Sequence, residues 1–291
     1  MISLSIYHVI IGYLFRVIEV WFTKAERELS AARPFGYGLR KFYYSSHLLI
    51  PPKKDEKDKE AEKPAVKPPD KEGAAPKKVH KIYIAVTSDR GLCGGVHSGV
   101  ARRIRRELTE LKVVDSPEHR LVCIGDKSRS MLRRLFAKNM LVSVKDIGRM
   151  TPIFADASTL AAAIADSKFK YDMGDVFYNK FFSAVKYELT VVPVFNKYQI
   201  ESAPNMTAFD DIEEDMLESY AEFTLAALLY YVLKESATSE QSARMAAMDN
   251  ATKNASEMIR KLTLLFNRTR QAVITKELIE IISGASTLQE K

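Results

Sequence analysis

The sequence predicts an α/β protein with a long helical C-terminus. Short runs of β-branched residues alternate with helical stretches between residues 79 and 205, as in strands joined by crossover helices. Beyond them, 79 consecutive residues between Pro204 and Gly284 contain neither glycine nor proline, so nothing there interrupts a helix. Apolar residues also repeat at alternating steps of three and four along this segment, which predicts a coiled coil.

The composition limits the possible classes of protein. Of the 291 residues, 46% are hydrophobic, which is enough for a substantial core. The net charge of +7 arises from 44 basic and 37 acidic side chains, an excess too small to indicate a nucleic-acid-binding protein. Only two cysteines, Cys93 and Cys123, are present, and no spacing of cysteines and histidines suggests a metal site. We therefore expect neither a disulfide framework nor a bound metal.

The first 22 residues are almost wholly apolar, although His8, Arg16 and Glu19 interrupt them. A membrane span needs roughly 20 apolar residues, and the two charges make this stretch a poor candidate. It also lacks the features of a secretory signal and of a clear mitochondrial transit peptide. A buried or aberrant helix is favoured, with a membrane or targeting segment as the alternative. Residues 23–33 continue as a charged helix, and a Tyr-rich turn region completes an N-terminal helical segment over 1–50.

Residues 51–78 differ sharply from their surroundings. Lysine, acidic residues and proline dominate them, and they contain no aromatic residue. Such a composition buries too little apolar surface to offset the entropy lost on ordering. We expect a disordered, charged insertion.

The domain predicted over 79–205 contains five strands, in the runs 81–89, 120–127, 141–148, 175–181 and 188–196. Helices are expected at 96–112, 128–139 and 151–169, the last with Pro152 in its first turn. This order predicts a Rossmann-like, mostly parallel, doubly wound sheet. The last two strands are close enough in sequence to form an antiparallel hairpin.

The remaining residues, 206–291, are predicted to form one long helix. Its acidic start suits a helix N-terminus, where the macrodipole favours negative charge. A heptad seam runs through Ala251, Ala255, Met258, Leu262, Leu265, Thr269, Ala272, Lys276 and Ile279.

The segment SDRGLCGG, residues 88–95, raises the question of a phosphate-binding loop. It lacks both the G-x-G-x-x-G spacing and the G-K-[ST] lysine, and Asp126, the nearest candidate for a ribose ligand, is better explained as a helix cap. Cys93 has His97 four residues on but no third orienting group, so a catalytic nucleophile is weakly supported. The glycines predict a tight turn between a strand and a helix. A nucleotide-binding α/β enzyme remains the alternative function from another class.

Several of these segments resemble one known family. SEQSARMAAMDNATKNASEM (239–258) and NRTRQAVITKELIEIISGA (267–285) are similar to the C-terminal signature of the gamma subunit of F-type ATP synthases, mitochondrial branch. SDRGLCGGVHSGV, IGDKSR, YNKF and KESATSEQSARM fit the same family in the same order. The resemblance covers residues 24–286 apart from the 51–78 insertion.

The resemblance implies a non-catalytic rotor shaft. In this family the N- and C-terminal helices form an antiparallel coiled coil inside a ring of alpha and beta subunits, and the α/β domain is a foot beside the delta and epsilon subunits and the membrane c-subunit ring. Proton flow turns the shaft, and catalysis belongs to the beta subunits. The resemblance therefore implies no cofactor, no nucleic acid, and a peripheral location on the matrix side of the mitochondrial inner membrane.

The resemblance also assigns residues to roles. Contacts with the catch loops of the beta subunits are expected at Arg244, Arg270 and Gln271. The tip of the shaft, within the bearing of the ring, is expected at Ile274, Leu278, Ile281 and Ile282. The foot motif comprises Ser88, Asp89, Arg90, Gly91, Cys93, Gly94 and Gly95.

The N-terminus departs from the family pattern. In the family a long amphipathic helix rich in Lys, Ile, Thr and Met precedes the segment equivalent to AERELSAAR, whereas residues 1–22 here are apolar. We therefore expect part of the C-terminal seam to lack its partner helix. A mispredicted start is favoured narrowly over a diverged paralogue that binds the ring without supporting rotation, and over a membrane anchor.

Overall fold

A computed structural model describes the backbone of residues 2–49, 79–147, 150–206, 209 and 214–289. The predicted insertion at 51–78 lies outside the described residues. The chain divides into two compact units, Val20–Arg244 and a second unit that combines residues 1–19 with 245–291. Each unit is described by itself below.

A five-stranded sheet forms the centre of the larger unit. Its strands are β1 (Lys81–Val86), β2 (His119–Ile124), β3 (Met140–Val144), β4 (Met173–Phe181) and β5 (Tyr187–Phe195). The spatial order is β3-β2-β1-β4-β5. Strand β1 pairs in parallel with β2 and β4, and β2 with β3, whereas β4 and β5 are antiparallel. The predicted mostly parallel sheet and its terminal hairpin are confirmed.

Within the described residues, six helices accompany the sheet: α1 (Ile2–Ser45), α2 (Val96–Glu110), α3 (Asp126–Phe136), α4 (Phe154–Asp166), α5 (Lys197–Glu201) and α6 (Glu214–Gln289). A 3-10 turn (Ala137–Asn139) follows α3. Helices α2 and α3 cover one face of the sheet, where Ile104 and Phe136 pack with Phe177. Helix α4 and the apolar residues 225–233 of α6 cover the other face. The sheet is therefore buried on both sides, as expected of parallel strands.

Helix α1 corrects the prediction of a Tyr-rich turn region after residue 33. The helix continues to Ser45 and contains Pro34 in its interior. Proline in a helix removes one backbone hydrogen bond and costs about 3 kcal/mol. Tertiary packing offsets that cost, because Leu39 and Tyr43 beyond the proline are both buried. Sequence propensity alone could not reveal this packing.

Helix α4 begins later than predicted. Pro152 precedes the helix rather than occupying its first turn, because α4 starts at Phe154. The carboxylate of Asp156 accepts a hydrogen bond from the Ile153 amide at 2.9 Å, which fixes the start at this point.

Candidate functional site

Helices α1 and α6 pack side by side and antiparallel within the larger unit. Thr238 Oγ1 donates to the Ala25 carbonyl at 3.3 Å, and Lys234 Nζ lies 2.6 Å from Glu28 Oε2. Further along α1, Phe42 meets Tyr220 with ring centroids 5.0 Å apart. Residue numbers rise along α1 as they fall along α6, so the two helices run in opposite directions.

Gly36 sets how closely the two helices approach each other. A Cβ atom at this position would lie 2.4 Å from Cγ of Tyr231, closer than real atoms come. The ring of Tyr231 therefore lies directly against the backbone of α1. The guanidinium of Arg40 lies 5.6 Å from the centroid of the same ring and adds a cation–π contact.

A polar stripe on α6 joins the helix to the sheet. Glu235, Ser239 and Ser242 recur at helical spacing and face the β4–β5 hairpin. Glu235 Oε2 accepts from the Phe181 amide at 2.8 Å, and Ser239 Oγ donates to the Asn179 carbonyl at 2.9 Å. Ser242 Oγ donates to the Ala184 carbonyl at 2.7 Å. These bonds satisfy backbone groups that helix and sheet would otherwise leave unpaired when buried.

The foot motif forms the turn between β1 and α2. Gly94 has φ of +60°, a conformation that glycine adopts readily, in agreement with the predicted tight turn. Gly125, at the end of β2, has φ of +92°, and a Cβ there would lie 2.8 Å from backbone atoms of Ser88. This second glycine lets the loop after β2 pass directly against the motif.

Asp89 links this motif to two other loops. Its two carboxylate oxygens accept hydrogen bonds from the amides of Asp126 and Asp146. Asp126 is the first residue of α3, and its own side chain does not cap the helix, so the predicted capping role belongs to Asp89 instead. A carboxylate thus occupies the N-terminus of α3, where the helix macrodipole favours negative charge.

The polar atoms of the motif are engaged within the chain. Ser88 Oγ lies 3.2 Å from Nε2 of His97, whose pKa is lowered by burial. Burial also raises the pKa of the Cys93 thiol. A raised pKa reduces the thiolate population, so this cysteine lacks the environment of a nucleophile.

Arg244 lies in this cluster rather than at the surface. Only 6% of the residue is exposed, and its guanidinium pairs with the Glu240 carboxylate. It also donates to the Gln241 side chain at 2.8 Å and to the Gly91 carbonyl at 3.4 Å. The side chain therefore joins α6 to the foot motif.

The other predicted contact residues lie in the smaller unit and are exposed. Arg270 and Gln271 are exposed on α6. The predicted tip residues Ile274, Leu278, Ile281 and Ile282 are 48%, 52%, 68% and 63% exposed. Of the predicted heptad seam, Ala251 and Ala255 are half-buried, whereas Met258, Leu265 and Ile279 are 55%, 59% and 58% exposed.

The described residues contain neither a candidate membrane span nor a cluster of metal-binding side chains. None of the helices described is long and apolar enough to span a membrane. Within the same described ranges, no group of three or more Cys, His, Asp or Glu residues is arranged to hold a metal ion.

Comparison with known proteins gives consistent matches. A family model described as ATP synthase matches residues 17–288. The mitochondrial ATP synthase gamma subunit of Drosophila melanogaster is 47% identical over 267 residues, which cover 92% of this chain and 81% of that protein. The gamma subunit of the mitochondrial F(1) complex of Rattus norvegicus is 46% identical, with 92% and 89% covered.

Solved structures share the fold. The rotor of the Euglena gracilis mitochondrial ATP synthase matches with a TM-score of 0.69 at 17% identity, covering 94% of this chain and 95% of that chain. The central stalk of the Tetrahymena thermophila mitochondrial ATP synthase matches with a TM-score of 0.63 at 23% identity, covering 84% and 99%. The α/β domain between two terminal helices is thus an architecture that these structures have in common with this chain.

Proposed function

This chain belongs to the ATP synthase family, as a mitochondrial gamma subunit, and we propose that it is the non-catalytic central-stalk rotor of that enzyme. In this role it couples rotation driven by proton flow to ATP synthesis or hydrolysis in the ring of alpha and beta subunits. Its other partners are the delta and epsilon subunits and the membrane c-subunit ring, at the matrix face of the inner membrane.

One observation carries the proposal: the exposed apolar surface of α6. Leu262, Leu265, Ile274, Ile279 and Ile282 are between 37% and 63% exposed along a single helix. Soluble proteins rarely leave so many large apolar side chains uncovered along one element. A ring of partner subunits around the helix would cover these side chains from every direction. A smooth apolar surface also suits rotation, because it makes no obligatory directional contact.

Polar side chains beside this surface supply the contacts that change with angle. Arg270 and Gln271 are exposed and long enough to form and break hydrogen bonds with the catch loops of beta subunits. For Arg244 the same role requires that the guanidinium leave the Glu240 carboxylate and the Gly91 carbonyl. Arg244 would then contact a beta subunit only in rotary positions that compensate for these lost bonds.

Coupling in this account is a difference in binding free energy between states. Each orientation of an asymmetric shaft contacts the individual beta subunits of the ring differently, and only differential contacts can shift their conformations. The chemistry of ATP therefore takes place on the partners.

Assembly and nucleotide binding together test the proposal. The full chain is mixed with alpha and beta subunits, and the isolated complex is assayed for ATPase activity. The chain alone is examined by equilibrium dialysis against labelled ATP. We expect a complex that contains the chain together with alpha and beta subunits, and no stoichiometric ATP binding by the chain alone. Stoichiometric binding of ATP to the chain without assembly would favour the enzyme alternative instead.

A further inference from the structure

Arginine is unusually frequent in the segment from α2 to α3, the two helices that cover the face of the sheet opposite α6. Residues 96–136 hold eight of the eighteen arginines in the sequence: Arg102, Arg103, Arg105, Arg106, Arg120, Arg129, Arg133 and Arg134. Arginine presents a planar fork that binds carboxylates in a bidentate manner, which lysine cannot do. On a surface that contacts only water, arginine gains nothing over lysine from this bidentate geometry. The high frequency of arginine here therefore suggests a carboxylate-bearing partner.

Four of these arginines have no partner in the part of the chain that the structure describes. Arg105, Arg106, Arg133 and Arg134 take part in no ion pair with any described residue. The acidic residues of the two helices do not offset them. Glu107 pairs with Lys81 at 3.7 Å, and Asp126 lies 3.8 Å from Lys145. The remaining acidic residue, Glu110, is the last residue of α2.

The ion pairs of these acidic residues fix the orientation of the helices. Glu107 faces Lys81, which also pairs with Asp175 of β4, so this flank of α2 faces away from α3. At 100° per residue, Arg105 falls on the opposite flank, toward α3, and Arg102 and Arg106 fall on the side away from the sheet; all three are exposed. On α3, the pairing of Asp126 with Lys145 directs that flank toward β3. By the same helical spacing, the exposed Arg134 falls on the side of α3 away from the sheet, and the exposed Met131 and Leu135 fall on the flank toward α2.

The side chains therefore form a groove with two basic edges and an apolar floor. Met131 and Leu135, 38% and 48% exposed, line the floor between α2 and α3. Arg102 and Arg106 form one edge and Arg134 the other. Neighbouring packed helices are about 8–10 Å apart, so the depression between them accepts a third helix. A nucleic-acid backbone or a flat bilayer would leave this recessed apolar floor uncovered.

We propose that the groove between α2 and α3 binds an acidic amphipathic helix of another polypeptide. The apolar stripe of that helix packs on Met131 and Leu135, and carboxylates on its two flanks pair with Arg106 and Arg134. This is the helix-in-groove mode of recognition, with charge selecting the partner. The proposal does not depend on the rotor function, because the groove lies on the face of the sheet opposite α6.

A designed probe tests the proposal with the full chain. The probe is an 18-residue helical peptide with leucine along one face and glutamate on both flanks, labelled for fluorescence anisotropy. The matched control peptide has glutamine in place of every glutamate. We expect saturable binding of the acidic peptide that weakens with added salt, and at least about tenfold weaker binding of the control peptide, because several exposed charge pairs of modest strength act together.

Matched variants locate the binding site on the chain. The triple variant Arg105→Glu, Arg106→Glu and Arg134→Glu should weaken binding about tenfold or more. The control variant Arg260→Glu, Lys261→Glu and Arg268→Glu makes the same charge change on α6 and should bind within about twofold of the parent chain. Equal loss in both triple variants would overturn the proposal, since it would indicate attraction to net charge alone.

Two further measurements decide the class of partner. Leu135→Gln should weaken binding of the acidic peptide, whereas Leu264→Gln on α6 should not. In a parallel experiment, the chain is mixed with phosphatidylcholine vesicles that contain 20 mol% cardiolipin (about one lipid in five). Tighter binding to these vesicles than to the peptide, lost in the Arg105/Arg106/Arg134 variant, would overturn the proposal in favour of an anionic lipid surface.

Discussion

Glu235 of α6 lies 3.4 Å from Nε of Arg33 in α1 while its other carboxylate oxygen accepts the Phe181 amide of β4 at 2.8 Å. The Glu235 side chain is fully buried and that of Arg33 is 35% exposed. One carboxylate therefore connects both helices of the pair to the sheet. A buried carboxylate is costly unless it is paired and hydrogen-bonded, and here it is both.

The first prediction concerns this carboxylate. Glu235→Ala should lower the free energy of unfolding by about 2–3 kcal/mol, because it leaves the buried Phe181 amide unpaired and creates a small cavity. Glu222→Ala removes an exposed glutamate from the same helix and should change stability by less than about 0.5 kcal/mol. Urea denaturation of both variants measures the difference. Equal stability of the two would show that the Glu235 contacts contribute nothing.

A second prediction uses two glycines of α1. Gly36→Ala should destabilise the protein by about 1–3 kcal/mol, because its Cβ would overlap the ring of Tyr231. Gly38→Ala meets no atom within 4 Å and should stabilise the helix by up to about 1 kcal/mol. Thermal unfolding of the two variants should therefore shift in opposite directions. A shift of the same sign in both would contradict the close approach of α1 and α6.

The role of Asp89 gives a third prediction. Asp89→Ala should cost about 2 kcal/mol, since it removes the acceptor of two backbone amides and a negative charge from the N-terminus of α3. Asp166→Ala, at the C-terminal end of α4, should leave stability unchanged or slightly raised. Hydrogen exchange of the Asp126 and Asp146 amides provides the local measurement. Unchanged protection of these amides in Asp89→Ala would refute the capping role.

The buried histidine predicts a pH dependence. Burial lowers the pKa of His97 below its ordinary value of 6.5 despite the neighbouring Glu240, while Arg244 and Lys127 act in the same direction as burial. The folded state therefore binds fewer protons than the unfolded state, and stability falls as the pH drops through 6.5. Burial lowers the pKa of His119 as well, so it contributes with the same sign.

Unfolding measured between pH 7.5 and 5.5 tests this sign. The variant His97→Gln keeps a polar group near Ser88. Its free energy of unfolding should fall less than that of the parent chain as the pH is lowered over this range. Glu107, whose pKa is raised by burial, contributes with the opposite sign, but it is present in both variant and parent, so the difference between them reports His97. An identical pH slope in variant and parent would mean that His97 does not contribute.

The proposed catch-loop contacts give a functional prediction. Arg270→Ala should weaken ATP-driven proton pumping by the assembled enzyme while leaving folding intact, because the Arg270 side chain is exposed on α6. Arg268→Ala, two residues away on the same helix, is the matched control. Proton pumping that is unchanged in Arg270→Ala would remove this residue from the proposed contact set.

Local sequence patterns were sufficient to predict the sheet and the long C-terminal helix. Each strand is a run of β-branched or aromatic residues between turn signals, and α6 contains no glycine or proline before Gly284. The path of α1 beyond Pro34 was not predictable, because packing against Tyr231 and its neighbours overrides the local preference. The short helix α5 was also missed, since five residues give too little periodicity to detect.

The residues around the foot motif show the same limit. The sequence correctly predicted a tight turn at Gly94, but it assigned the cap of α3 to Asp126 rather than to Asp89, 37 residues earlier in the chain. The internal pairing of Arg244 was equally hidden, because Gly91 is 153 residues away. Contacts between distant segments leave no periodic pattern in the sequence. The sequence connected α6 with the foot motif only because both resemble the same family, α6 through the specific segment SEQSARMAAMDNATKNASEM.

Direct observation of rotation tests the central claim. The full chain is assembled with alpha and beta subunits fixed to a surface, and a bead is attached through a cysteine introduced at Ser130, an exposed position on α3; the native Cys93 and Cys123 are buried. On addition of ATP, the account predicts unidirectional rotation of the bead, with slower or weaker rotation in Arg270→Ala. A bead that stays fixed in complexes that hydrolyse ATP would contradict the account, since it would mean that the chain binds the ring without turning in it.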